Sequence, residues 1–301
     1  MSAEATGRQV RDRVDATLSR LGVTPTALMA VPARQPNRWV YRADLAGGGV
    51  WYVKVFGDPG QYDREARALA TIVPGIGPTV IAAHDADGIL LTEAIDGTVA
   101  AGDRSVDADK LLADCLVAFR ALLATGIESP ADPIPIPLGD GYGRHFRLLA
   151  ATSGCEEAAL RAWVAAAQPL LPSHGDLTPN NVIVTSTGVR LIDFEFFGVS
   201  QPLYDAASLC LSPSLSLPIQ RRTATLARYA QAVADADGQR LPVPSVCGAA
   251  AMWAVRFGER LYTSRADVDA GLAWQTPLHI AGETIAALID SQRSSWQPVH
   301  R

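Results

Sequence analysis

The sequence predicts an α+β chain in two lobes, a small strand-rich lobe over residues 1–96 and a larger, mainly helical lobe over residues 97–301. Three observations carry this expectation. Most strand-like runs fall before residue 96, with one strong helical run among them. After Ile95-Asp96-Gly97 the pattern turns helical, broken by Pro- and Gly-rich links. One short segment, residues 172–198, differs from its surroundings and reads as polar loop, strand, turn and strand. At 48% hydrophobic and 19% charged, a chain of 301 residues can bury a sizeable core.

Each element has a local reason. Val10, Val14, Leu18 and Leu21 recur three or four residues apart, the stripe of a short amphipathic helix over residues 5–21. Residues 28–57 read as strands. Gly47-Gly48-Gly49 lies between two of them and predicts a hairpin turn rather than a phosphate-cradling loop, because no helix follows it. Residues 60–72 read as a helix, and Val80–Ala83 and Gly88–Glu93 as two more strands. In the second lobe, residues 107–125 and 144–168 read as helices. Between them Pro130–Pro137 carries four prolines and excludes a helix interior. Residues 202–292 are mostly helical in pattern, and no internal repeat is visible.

Composition narrows the function. A net charge of −5 does not suit a nucleic-acid binder. No apolar run is long enough to span a bilayer, and Met1–Arg8 has no basic-then-apolar export pattern, so no membrane partner is expected. Cys115, Cys155, Cys210 and Cys247 are far apart and form no CxxC pair. Neither a zinc site nor a disulfide framework is expected, and a cytoplasmic location follows. Of 26 basic residues only Lys54 and Lys110 are lysine. Lys110 sits at the exposed start of a helical run. Lys54 sits in the middle of Val50–Phe56, a strand pattern, as either a solvated outer-face residue or a placed charge.

The chemistry concentrates in Ser173-His174-Gly175-Asp176-Leu177-Thr178-Pro179-Asn180-Asn181 and in Ile192-Asp193-Phe194-Glu195. A turn at Thr185–Gly188 folds the intervening chain into a hairpin, so that His174, Asp176, Asn181, Asp193 and Glu195 converge. A group of oxygen donors with a single histidine suits a hard cation such as Mg²⁺ better than zinc. Mg²⁺ is held by one or two carboxylates plus substrate phosphates. That leaves Asp176 to orient a hydroxyl and accept its proton. The spacing His-x-Asp-x-x-x-x-Asn, then a strand ending in Asp, is the arrangement of phosphoryl transfer in kinases.

Together with Tyr204-Asp205-Ala206-Ala207, these motifs resemble those of the aminoglycoside phosphotransferase and choline kinase family, small-molecule kinases with a protein-kinase-like fold. The resemblance implies a small antiparallel-sheet lobe that binds nucleotide and a larger helical lobe that holds the catalytic loop and acceptor site. It implies ATP or GTP with Mg²⁺ as cofactors and a small-molecule hydroxyl as acceptor, in a monomer or homodimer. Asp176 becomes the catalytic base. Asn181, chosen over Asn180 for its five-residue spacing, becomes a metal ligand with Asp193, and Glu195 joins them as a third candidate. Lys54 becomes the lysine on the α- and β-phosphates, held by Glu65. The stretch Leu91–Ile95 takes the place of the interlobe hinge, with the backbone of Glu93, Ala94 and Ile95 along the adenine edge. His174 and Asp205 become scaffolding. His84, His145, His279 and His300 are left as structural or surface residues.

The chain departs from protein kinases in one loop. Arg34-Gln35-Pro36-Asn37-Arg38-Trp39-Val40-Tyr41 holds no glycine, so phosphate contacts are assigned to the backbone near Asn37 and Arg38. An Ala-Pro-Glu motif and an activation segment are also absent, which disfavours a protein kinase. The filled catalytic positions disfavour a non-catalytic nucleotide-binding module. From residue 200 onward eight acidic and nine basic residues nearly cancel. A polycationic acceptor favours an acidic pocket. The expected acceptor is therefore neutral or weakly charged, such as an antibiotic, nucleoside or sugar-containing compound, with a metabolic choline-, sugar- or homoserine-like kinase as the alternative. Trp253, Phe257 and Trp274 are expected in the core, or in part lining the acceptor pocket.

Overall fold

A computed structural model describes residues 3–32, 37–101, 103, 105–125, 137–166, 170–264 and 273–295. Arg34, Gln35 and Pro36 of the glycine-free loop, Pro130 and most of the proline-rich segment, and His300 lie outside the described residues.

The small lobe is a five-stranded antiparallel sheet of spatial order β1-β2-β3-β5-β4. Its strands are β1 (Ala27–Val31), β2 (Arg38–Asp44), β3 (Val50–Phe56), β4 (Val80–His84) and β5 (Ile89–Glu93). The glycine triplet makes the predicted hairpin turn between β2 and β3. Leu45 N–H donates to the Gly49 carbonyl, and Gly47 and Gly48 take φ of 98° and 90°, where a side chain is strained. The helix α1 (Ala3–Arg20) lays Val10, Val14 and Leu18 against Tyr41, Val53, Val55, Ile89 and Leu91 of the sheet. Truncating Leu18, which is fully buried, to Ala would cost about 2–5 kcal/mol.

The helix α2 (Pro59–Thr71) belongs to both lobes. Asp58 caps its start by accepting from Gly60 N–H at 2.8 Å, and Tyr62 donates its hydroxyl to Asp85 at 2.6 Å. Tyr62 packs with Phe56 and Leu90 of the small lobe, whereas Ala68 and Ile72 enter the core of the large lobe. Just beyond α2, the Ile76 carbonyl accepts from Leu191 N–H at 2.7 Å.

The large lobe is helical, with α3 (Ala108–Leu123), α4 (Gly143–Ser153), α5 (Glu157–Ala165), α6 (Leu203–Cys210), α7 (Ile219–Asp237), α8 (Val243–Ser264) and α9 (Thr276–Ser295). The helix expected over residues 144–168 is two. Gly154 adopts a left-handed φ of 70° and caps α4, which turns the chain before α5. Lys110 lies exposed at the start of α3, paired with Asp114 at 2.5 Å. Trp253 is buried in the core, stacked on Phe257 at 5.4 Å. Trp274 instead packs edge-on to His145 and Tyr262.

Short strands in the large lobe frame the hairpin. β7 (Leu171–Ser173) pairs with β10 (Gly198–Ser200), and β8 (Val182–Thr185) pairs with β9 (Gly188–Leu191). A strand absent from the sequence expectation, β6 (Thr98–Val99), pairs with β8 through Thr98↔Val184 and Val99↔Ile183. This fastens the interlobe connection to the hairpin. Gly97 is the residue that allows it, because a Cβ there would lie 2.3 Å from the Val184 carbonyl oxygen.

Candidate active site

The loop after β7 is held by one carboxylate. Asp205, in the first turn of α6, accepts from the Ser173 hydroxyl (2.8 Å), His174 N–H (2.7 Å) and Gly175 N–H (2.9 Å). Burial pushes the Asp205 carboxyl up to about 6, against the pull of those three donors. Gly175 sits at φ 82°, and a Cβ there would lie 2.3 Å from the Phe196 carbonyl oxygen. Only glycine lets this loop press against the chain that follows Asp193. The arrangement fixes the backbone on which Asp176 stands.

Asp176 is largely buried. Burial raises its pKa, opposed chiefly by the Arg260 charge, whose Nη1 is 3.7 Å from Asp176 Oδ1. Asn181 Nδ2 donates to the Asp176 carbonyl at 2.8 Å and to Asp176 Oδ2 at 3.3 Å. Of the Asn181 side chain, Oδ1 is the remaining hard acceptor.

At the other end of the hairpin, Asp193 adopts φ 70°, rare for a residue with a side chain. The structure brings Lys54 and Glu65 to it. Lys54 Nζ lies 2.6 Å from Glu65 Oε1 and 3.1 Å from Asp193 Oδ1. The Lys54 side chain is 15% exposed and that of Glu65 is 1% exposed, so this is a placed charge and not a solvated outer-face lysine. Burial alone would raise Asp193, but Lys54 and Arg38 outweigh it and hold the carboxyl at about 2. For Lys54, likewise, Asp193 and Glu65 outweigh burial and raise the ammonium pKa. The Glu65 carboxyl, unlike that of Asp193, is raised, because burial raises it more than Lys54 lowers it.

Arg38 holds a place that sequence reasoning did not assign to its side chain. Its guanidinium forks onto Asp193, with Nη1 at 2.5 Å from Oδ1 and Nη2 at 3.1 Å from Oδ2. Nη1 also lies 2.9 Å from Glu195 Oε2. Burial and the Asp193 charge push Glu195 up to about 7. Asn37 is exposed, and its carbonyl accepts from Gly57 N–H at 2.7 Å. At the interlobe connection, Glu93 N–H donates to the Thr79 carbonyl and Ala94 N–H to the Val50 carbonyl, both at 2.9 Å. Those two amides are taken.

Two further residues were missed. Arg256 and Arg260 stand four apart on α8 and so share a face beside Asp176. The Arg256 guanidinium lies over the Tyr204 ring at 5.0 Å, and that of Arg260 over Phe196 at 5.8 Å. The i,i+4 spacing was available in the sequence; the direction of that face was not. His145, read as structural, is buried, with Nε2 3.4 Å from Glu259 Oε2.

Among the described residues no group of three or more His, Cys, Asp or Glu side chains is placed to hold a metal unaided. The carboxylates of Asp193 and Glu195 hold a cation in the form of a guanidinium, and hard oxygen donors of this kind fit Mg²⁺.

A small antiparallel sheet over a helical lobe, with an internal lysine paired to the Asp of a hairpin in the other lobe, is the arrangement of a kinase-type phosphotransferase. The chain belongs to the phosphotransferase enzyme family, whose model matches residues 29–243, and the reaction class is phosphate transfer to an alcohol group. Solved structures share the fold at low identity. The choline kinase LicA from Streptococcus pneumoniae is 16% identical, with TM-score 0.61 over 93% of this chain and 99% of that one. A thermostable mutant of the aminoglycoside phosphotransferase APH(4)-Ia, in ternary complex with ADP and hygromycin B, is 13% identical, with TM-score 0.59 over 89% and 97%. A type I macrolide 2'-phosphotransferase is 16% identical, with TM-score 0.57 over 95% and 98%. Comparison with curated protein sequences finds no match.

Proposed function

We propose that this enzyme moves the γ-phosphate of ATP or GTP, bound with Mg²⁺, to a hydroxyl of a small molecule that is not a polycation. The observation that carries the reading is the Lys54 ammonium, held 2.6 Å from Glu65 and 3.1 Å from Asp193, on the hairpin that begins with Asp176.

Each side chain has a task. Lys54, steadied by Glu65, neutralises the α- and β-phosphates. Asn181 and Asp193 hold the cation, joined by Glu195. Mg²⁺ held there would supply positive charge to offset the charge that develops on the phosphates. The backbone of Glu93, Ala94 and Ile95 meets the adenine or guanine edge. Asn37 and Arg38 border the phosphates. Asp176 orients the acceptor hydroxyl. The hydroxyl oxygen bonds to the γ-phosphorus, the bond from that phosphorus to the bridging oxygen breaks, and the hydroxyl proton passes to Asp176. Burial makes this carboxylate more basic than a solvated one, as a proton acceptor needs. Most of the acceleration comes from position and charge.

The acceptor side supports a narrower reading. Arg256 and Arg260 set positive charge beside Asp176, which disfavours a cationic acceptor such as choline or an aminoglycoside. A neutral antibiotic, nucleoside or sugar-containing compound suits this face, in a resistance or a metabolic role. No helix among the described residues is long and apolar enough to cross a membrane. We take the working form to be a cytoplasmic monomer or homodimer. The test is a panel of antibiotics and metabolites incubated with ATP or GTP and Mg²⁺, read by mass spectrometry for an added phosphate. Tight calorimetric binding of kanamycin-like compounds would overturn the acceptor reading.

A further inference from the structure

We propose that Arg38 is a resident counter-cation of the metal-binding carboxylates, and that the divalent ion enters only in exchange for it, together with the nucleotide phosphates. The inference rests on the phosphotransferase reading above.

The geometry is specific. Arg38 opens β2 in the small lobe, yet its side chain reaches carboxylates of the large lobe and is only 9% exposed. It covers both oxygens of Asp193, at 2.5 and 3.1 Å, and reaches Glu195 at 2.9 Å. Lys54 takes a second bond to Asp193 Oδ1. Mg²⁺ needs its carboxylate oxygen at about 2.1 Å with near-octahedral neighbours. A dication brought to Asp193 would meet the guanidinium and ammonium charges already seated on that carboxylate, which oppose it.

Charge explains why such a fork is there. Glu65, Asp193 and Glu195 are packed within reach of one lysine. Without Arg38, the ligand-free protein would bury these carboxylates against a single positive charge, an expensive arrangement. With Arg38 the cluster is close to balanced. Arrival of a metal–triphosphate lets the carboxylates pass from one cation to another. The displaced guanidinium then meets phosphate oxygens, which its planar fork suits as well as it suits a carboxylate. Metal and nucleotide therefore bind as a coupled pair, and the divalent ion alone binds poorly.

The test uses Mn²⁺ as a spectroscopic probe on the full chain without acceptor, titrated by electron paramagnetic resonance with and without a non-hydrolysable ATP analogue. In the unaltered protein, Mn²⁺ affinity is expected to rise by about tenfold or more when the analogue is present. Arg38→Gln is expected to tighten Mn²⁺ binding in the absence of analogue by a similar factor and to weaken the analogue. Arg38→Lys keeps the charge without the fork, protects folding, and is expected to lie between. Mn²⁺ alone is expected to raise the melting temperature of Arg38→Gln and not that of the unaltered chain. If the analogue binds normally and Mn²⁺ alone binds all three proteins equally, the exchange is refuted while the phosphotransferase reading survives. If the analogue binds none of them, that reading fails and the exchange fails with it.

Discussion

His174 Nδ1 lies 3.4 Å from the backbone nitrogen of Asp176, while its Nε2 lies 3.0 Å from the Ile192 carbonyl oxygen. An imidazole that accepts at Nδ1 and donates at Nε2 is neutral and in one tautomer. It ties the backbone of Asp176 to the residue that precedes Asp193, so both ends of the hairpin share one strut.

That strut predicts an acid sensitivity. Burial holds the His174 pKa down at about 4, whereas the unfolded chain takes up the proton near 6.5. Between those values the unfolded state binds more protons, so stability is lost as pH falls from about 6.5 toward 4, on the order of 3 kcal/mol in all. The raised carboxyls of Asp205 and Glu195 act in the opposite direction. The readout is therefore the difference between the unaltered protein and His174→Gln in urea unfolding at several pH values. His174→Gln is expected to lose less stability on acidification. Identical slopes would contradict it.

Asp176→Asn removes the proposed proton acceptor and keeps the Asn181 contacts nearly isosteric. A fall in kcat of about 10²- to 10⁴-fold is expected, with nucleotide affinity unchanged in calorimetry. Unchanged turnover would exclude Asp176 from the reaction.

Lys54→Met leaves Glu65 and Asp193 without their shared ammonium. A stability loss of about 3–5 kcal/mol is expected by chemical denaturation, along with loss of nucleotide binding. Adding Glu65→Gln to the same chain is expected to restore much of the stability and none of the binding. Equal additive losses would show that the pair is not coupled.

Gly175→Ala forces a Cβ to within 2.3 Å of the Phe196 carbonyl at a left-handed φ. The strain, about 1–3 kcal/mol, falls on the loop under Asp176. Turnover is expected to collapse while the far-ultraviolet circular dichroism of the helical lobe stays intact. Full activity in this variant would show that the loop has freedom the structure does not suggest.

The strands, their helix and the hairpin were legible because strand alternation and helical spacing are local. Asp176, Asn181 and Asp193 were legible because their types recur at fixed offsets on one hairpin. Lys54 became legible only beside them, since a strand lysine alone reads equally well as solvated. The Arg38–Asp193 fork was not legible, because 155 residues separate the partners and no periodicity encodes which side chain crosses a cleft. β6 escaped because two residues carry no alternation. The break at Gly154 was hidden inside a helical run, where an isolated glycine is ambiguous until its φ is known.

The helix that carries Glu65 is bolted down along its whole length. Asp58 caps one end, Tyr62 grips Asp85, Arg64 Nε donates to the Glu195 carbonyl at 2.7 Å, and Ile76 beyond the other end is bonded to Leu191. Swinging it outward would tear fastenings to both halves of the molecule at once. Rotation of that helix would therefore have to break contacts in both lobes together. Glu65 is thereby held at Lys54 by contacts that reach both lobes.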